Sequence, residues 1–392
     1  MAFLKYVPPM GIYETLYAFL AAYGKPMGDP GTHPWSQGFP RTDQLPDGPP
    51  MPTSVSIAQE HLKYPKAWGL PALREAIAAY YRTHYGARIT ADNVMVFAGG
   101  RPALLAALYF LEKEITVRVA ETEYTPYYDM LERLGRTWTT VASGHGNRFT
   151  PTIDDYLAPS STRFLVMMSN PCNPTGVTRK GDDLERLVRA ASSNQAGLLI
   201  DEAYELFHDR PESALRYAEN IDDSNLFVTG AATKGLQAPG IRIGWVVASR
   251  RHIEILGNFS SFGMGGVSHP SQSYALELLN AERVASARLA VPTFYRDQRA
   301  RYGEAFAGLG LELFTGEGGF YHWCRLREGL TAEVLNQRLF KHGAAILKGI
   351  DCDMARRGDA SPLRGFFRFS FGPLKPESFD SDVAILKDAL AG

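Results

Sequence analysis

A chain of 392 residues that is 45% apolar and carries 41 basic against 42 acidic side chains can bury a large core. Its formal net charge of -1 leaves no cationic excess with which to hold nucleic acid or an anionic membrane, so a small-molecule partner is expected. The length favours two lobes over one compact unit.

Three scattered cysteines, Cys172, Cys324 and Cys352, are too few for a disulfide framework and fit a reducing compartment. Lys5 and Pro8-Pro9 interrupt the apolar start Met1-Ala-Phe-Leu before it can serve as a leader. The longest apolar run, Ala103 to Leu111, falls far short of the roughly 20 residues that cross a bilayer. A cytoplasmic protein is therefore expected.

In chain order, Ile12, Leu16, Phe19, Leu20 and Tyr23 have the spacing of an amphipathic helix. From Gly24 to Pro52 repeated Gly and Pro predict an irregular loop, in which His33 stands beside Trp35 and Gln37. His33 reads either as a substrate-side histidine or as a hydrogen-bonded loop residue. Leu70 to Tyr81 reads as a helix with Pro71 in its first turn. An alternation of strands and helices then begins. The strands are predicted at Val94 to Phe97, Val117 to Ala120, Trp138 to Val141, Phe164 to Met168, Gly197 to Ile200, Leu226 to Thr229 and Trp245 to Ala248. Helices are predicted over Pro102 to Glu112, Pro126 to Leu134 and Asp182 to Ala191.

Such alternation predicts an α/β domain with a mostly parallel seven-stranded sheet, whose ligands lie beyond the carboxyl ends of the strands. Beyond about Asn280 the pattern turns into a long helical region and a mixed tail, expected to form a smaller α+β lobe with the N-terminal segment. The boundaries expected are residues 1–50 joining the small domain, 51–284 for the large domain and 285–392 for the small one.

The most informative residue is Lys234, at the end of the apolar strand Leu226 to Thr229. A lysine buried there must be paired, neutral or covalently used, because an isolated buried ammonium costs several kcal/mol. Covalent use means a Schiff base with an aldehyde cofactor. Asp201 stands at the end of another buried strand, and Tyr204, three residues on, can present its hydroxyl to the same cavity. Asn173 lies in the proline-rich turn Asn170-Pro-Cys-Asn-Pro-Thr-Gly176. These fit a pyridine aldehyde phosphate: a carboxylate keeps the ring nitrogen protonated, and hydrogen bonds from Tyr204 and Asn173 reach the ring hydroxyl. Lys234, once released, then serves as general acid and base, with its pKa lowered by burial beside cations. Gly99-Gly100-Arg101 at a helix start, with Arg242, offers a phosphate anchor, and Tyr124 a ring to stack on the cofactor.

Together these residues resemble the class I/II aminotransferases of the fold-type I pyridoxal-phosphate enzymes, which include aspartate aminotransferase. The resemblance spans nearly the whole chain and rests on Tyr64 before Gly-Leu-Pro-Ala-Leu-Arg74, Asn170 to Gly176, Asp201-Glu-Ala-Tyr204, Lys234 with Gly-Ile-Arg242-Ile-Gly244, and Arg368 in Phe-Arg-Phe-Ser370. It implies Lys234 as the Schiff-base lysine, Asp201 on the pyridine nitrogen, and Asn173 and Tyr204 on the ring hydroxyl. Arg242, Gly100 and Arg101 would hold the phosphate, Gly38 would lie on the substrate side, and Arg368 would grip the substrate's α-carboxylate. It also implies a homodimer, with Tyr64 reaching the phosphate from the neighbouring subunit, and an amino acid and a 2-oxo acid as substrates.

The chain departs from the family pattern at several positions. Ala231 replaces a common serine or threonine, so Thr233 or backbone is expected to compensate. Arg101-Pro102 replaces a polar pair. Lys348-Gly-Ile-Asp-Cys-Asp353 replaces a Pro-Gly turn, and Gly263 to Ser268 offers no second arginine for a dicarboxylate. The expected activity is a pyridoxal-phosphate-dependent transamination. The alternatives keep the cofactor but divert the carbanion to elimination, replacement, cyclisation or O2-dependent oxidation, or make the body a ligand sensor.

Overall fold

A computed structural model describes residues 3, 4 and 6–392; Met1, Ala2 and Lys5, on which part of the reading of the amino terminus rests, lie outside the described residues. Seven strands form the main sheet: β1 Val94–Phe97, β2 Thr116–Ala120, β3 Trp138–Val141, β4 Phe164–Ser169, β5 Gly197–Asp201, β6 Leu226–Ala231 and β7 Gly244–Val247. Their order is β1-β7-β6-β5-β4-β2-β3. β7 runs antiparallel to both its neighbours. The remaining pairs are parallel.

The continuous apolar runs are explained by cover on both faces. Along β4, Val166 and Met168 enter the core that holds Leu184 and Leu187 of the Asp182–Ser192 helix, while Leu165 and Met167 enter the core of Leu104 and Leu131 on the opposite face. Period-two alternation thus places apolar side chains on both sides.

Four short antiparallel strands make a second sheet, β8 Glu312–Leu313, β9 Tyr321–Arg325, β10 Leu347–Lys348 and β11 Phe366–Ser370, in the order β10-β11-β9-β8. The N-terminal segment packs here. Trp35 lies 5.0 Å from Phe369 between ring centroids, its carbonyl accepts the Ser370 N–H at 2.8 Å, and Phe19 of the Ile12–Tyr23 helix meets Phe340 edge-on at 5.7 Å. The 28-residue helix Ala281–Gly308, with Pro292 inside it, contributes Tyr295, Tyr302 and Phe306 to the same core.

Several helix boundaries differ from expectation, two of them by more than one residue at an end. The first long helix runs on to Tyr85, where Gly86 takes the left-handed cap. The next runs from Gly100 to Phe110 rather than from Pro102 to Glu112, with Pro102 inside its first turn, where the missing N–H has no partner to lose. Among the described residues no helix is long and apolar enough to cross a membrane.

Candidate active site

Since β2, β4, β5 and β6 run parallel, the loops leaving their carboxyl ends meet along one edge of the sheet. A cavity of about 290 Å³ opens there, lined by Gly100, Asn173, Asp201, Tyr204, Lys234 and Arg242 among others. A second space of about 250 Å³ adjoins it and shares Gly38, Arg101, Tyr124, Asn173, Tyr204 and Lys234.

Lys234 leaves the turn after β6, and its Nζ donates to the Gly38 carbonyl. Burial pushes its amine down to about 7, and the guanidiniums of Arg368, Arg101 and Arg242 push the same way against Asp201. A free amine is therefore abundant at neutral pH.

Asp201, the last residue of β5, accepts the Ala203 N–H at 3.1 Å on Oδ1 and a long 3.4 Å bond from the Tyr127 hydroxyl on Oδ2. Burial raises its pKa from the ordinary carboxylate value, against the Ala203 N–H, the Thr229 hydroxyl and Lys234. So placed, the carboxylate gains from a cationic N–H facing Oδ2.

At the far end of the cavity, Gly99 has φ of 111° and caps the Gly100–Phe110 helix, whose free N–H groups start at the cavity wall. A Cβ on Gly99 would collide with the Arg242 guanidinium, and one on Gly244 with the Gly100 nitrogen. Glycine is required at both. Thr233 lines the same cavity. A buried carboxylate, a free amine and an anion cradle in one cavity fit the three ends of pyridoxal phosphate: ring nitrogen, aldehyde and phosphate. When bound, that group supplies an aldehyde for an amino group and an electron-withdrawing ring.

In the adjoining space, Arg368 of β11 is buried, with Nη1 on Asn173 Oδ1 at 2.8 Å and Nη2 on the Ser36 carbonyl at 2.7 Å. Among the described residues its Nε has no partner. The Tyr321 ring lies 4.2 Å from the guanidinium, and the Tyr321 hydroxyl bonds that of Tyr204. Gly38 is packed so closely that a Cβ would strike the Tyr321 hydroxyl. Arg101 donates Nε to the Tyr124 hydroxyl at 2.8 Å, so its guanidinium is engaged on the cavity's aromatic wall.

Two expected residues do not join this assembly within the chain. Tyr64 is 94% exposed. His33 does not line either cavity. Its Nδ1 lies 2.6 Å from Oδ1 of Asp382, a buried carboxylate that also takes bonds from Trp35, Tyr302 and Ser378. The chain turns between His33 and Gly38, so the histidine points into the second lobe. Conversely, Tyr321, Ser36, Ser169 and the start of the first helix, Met10 to Tyr13, line the cavities without having been singled out in the sequence. Only the aromatic stretch around Tyr321 hinted at it.

A lysine amine near neutrality and a buried carboxylate at the carboxyl edge of an α/β sheet define an enzyme built for a carbonyl cofactor. Residues 34–380 match the family model of aminotransferase class I and II, and the chain belongs to that family. The chain is 27% identical to valine–pyruvate aminotransferase of Mycobacterium tuberculosis over 344 residues, 83% of this chain and 84% of the relative. Against aspartate/prephenate aminotransferase of Thermus thermophilus it is 28% identical, covering 76% and 77%. The solved aspartate aminotransferase of Thermus thermophilus with maleate superposes over 100% of both chains with a TM-score of 0.82 at 23% identity, a likeness of fold. Pyridoxal phosphate is the cofactor, and the reaction moves the amino group of an L-amino acid to a 2-oxo acid.

Proposed function

We propose that the residues gathered at the sheet edge divide the transamination as follows. Asp201 holds the ring nitrogen's proton, Asn173 and Tyr204 hold the ring hydroxyl, and Gly100, Thr233 and Arg242 hold the phosphate. Arg101 closes the cavity beside Tyr124, whose ring stacks on the cofactor. Arg368 takes the substrate's α-carboxylate, which orients the Cα proton towards Lys234. Lys234 Nζ would take that proton from Cα and deliver it to the carbon that had been the cofactor's aldehyde; its lowered pKa keeps the base form available at neutral pH. The observation that carries this reading is Arg368, a buried guanidinium with an unpartnered Nε beside a lysine of depressed pKa. A cation so placed is stabilised by an incoming carboxylate.

The side chain of the amino donor enters between Ile12, Tyr13 and Leu347, apolar contacts flanked by Asp129. We place Tyr64 in the phosphate site of a second copy of the chain. The same segment exposes Ile57 and Leu62, 60% and 78% accessible, an apolar surface that a homodimer would cover.

The test is an absorbance scan of the loaded protein with each amino acid in turn. The expected outcome is a spectral conversion by the donor that a 2-oxo acid reverses, and its loss of kcat/KM by about 2–5 kcal/mol in Arg368→Ala. Oxygen uptake or ammonia release without reversal, or an unchanged KM in Arg368→Ala, would overturn the reading. A monomeric mass in solution would overturn the placement of Tyr64.

A further inference from the structure

Glu123 is a buried carboxylate for which the transamination has no use. It follows β2, is 1% exposed, and is held by N–H and O–H donors rather than by a basic side chain. Oε1 accepts the Tyr124 N–H at 3.0 Å and the Ser169 hydroxyl, and Oε2 accepts the Ser169 N–H at 3.3 Å. A run of contacts continues from there into the site. Ser169, the end of β4, lines the cofactor cavity, and its Oγ accepts the Asn173 N–H at 3.0 Å. Asn173 Oδ1 in turn receives Arg368 Nη1 at 2.8 Å.

The second lobe is pinned to the same segment. The Glu123 N–H donates to the Cys352 carbonyl at 3.2 Å, Thr122 forms an antiparallel bridge with Asp353, and the Met354 N–H donates to the Glu121 carbonyl at 2.8 Å. That accounts for part of the stretch Lys348 to Asp353, which departs from the family pattern: after a 3-10 turn over Gly349–Cys352, its end makes a single β-bridge beside the loop that carries Tyr124.

We propose that Glu123 is a positioning residue of the aminotransferase site, clamping the Tyr124 wall to the Ser169–Asn173 wall so that the cavity between them matches the cofactor ring. The proposal rests on the division of roles given above for Tyr124 and Asn173. Glu123 lines neither cavity and acts through Ser169. An acid suits this place because four donors converge on it, the Tyr124 and Ser169 N–H groups, the Ser169 hydroxyl and, at 3.8 Å, the Cys172 thiol, and its two oxygens offer enough lone pairs to accept them. Burial raises its carboxyl to about 7, against the hydrogen bonds from Ser169 and the Tyr124 N–H, and Asp201 is the carboxylate facing it. A leucine of similar bulk would avoid that cost; it would also leave the Ser169 and Tyr124 donors unmet.

The test uses Glu123→Leu, Glu123→Gln and Ser169→Ala with three readouts: the Kd of pyridoxal phosphate for the apoprotein, the pH midpoint of the bound cofactor's absorbance without substrate, and Tm. Glu123→Leu should raise Kd about tenfold and move the midpoint, as loss of a supporting shell does. Ser169→Ala should move both in the same direction, and Glu123→Gln, which keeps one accepting oxygen, should recover most of the loss. A lowered Tm with Kd within about twofold and an unmoved midpoint would overturn the proposal, leaving Glu123 a core residue. Should Glu123→Leu fail to fold, Ser169→Ala decides alone: unmoved Kd and midpoint overturn it. Failure of the wild-type chain to take up the cofactor would instead strike the underlying division of roles.

Discussion

Two lysines, one in each lobe, are withdrawn from water, and they come to opposite ends. Lys234 at the large sheet's edge faces three guanidiniums and one carboxylate, and its amine falls to about 7. Lys348 on β10 is 5% exposed, and burial lowers its pKa too, but Asp351, Glu14 and Glu333 outweigh burial and hold the amine charged. Its Nζ reaches Glu14 at 2.6 Å and Glu333 at 3.2 Å. Burial by itself therefore does not make a lysine reactive. The sign of the neighbouring charge decides whether it becomes a base or a clasp.

The sharpest way to break this comparison is to remove the two amines in turn. Lys234→Ala should cut turnover by at least ~10²–10⁴-fold, the share usually carried by a general acid or base, and single-turnover kinetics would show it. Substantial activity in that variant would end the parallel. A pH series sharpens the same point. With its folded pKa near 7 instead of 10.5, Lys234 gains its neutral form as pH rises through 7, so uptake of pyridoxal phosphate by the apoprotein should climb to a plateau just above that pH. An ordinary lysine would keep accelerating uptake towards pH 10.

Lys348→Met should leave kcat near the wild-type value while lowering stability by roughly 1–3 kcal/mol, read in urea denaturation, because Asp351 is left buried without its cation. Burial has already pushed Asp351 up to about 7, with Lys348 opposing. A carboxyl whose folded pKa lies above its unfolded value favours the fold at low pH and loses that contribution as pH rises through the folded pKa. Loss of Lys348 raises that pKa further, so Asp351 is protonated in both folded proteins below about pH 7 and the Lys348→Met deficit should grow as pH rises above about 7; a deficit independent of pH would count against the pairing.

The smallest effect is expected at His33. Asp382 keeps Trp35, Tyr302 and Ser378 as donors when the imidazole is lost, so His33→Ala should cost about 1 kcal/mol of stability and leave kcat/KM within about twofold. A change of reaction product in that variant would return the histidine to the site.

Much of this was legible in one dimension. The seven strands were readable because sheets covered on both faces need unbroken apolar runs, and Asp201 and Lys234 stood out because each polar group ends such a run. His33 misled for a related reason. Five residues before Gly38 in a loop of mixed Gly and Pro, it is near the site along the chain, and only backbone direction separates the two. Glu123 carried no signal at all: an acid in a loop after a strand looks solvated until the loops around it are in place.

The sequence by itself determined the architecture and the carboxyl-edge residues, since hydrophobic periodicity and strand ends are local properties of the chain. Tertiary structure alone decided how each charge behaves. Lys348 finds Glu14 across 334 positions, Arg368 finds Asn173 across 195, and Glu123 finds Ser169 across 46. A pKa depends on desolvation and on charges within a few ångströms, and distance along the chain encodes neither.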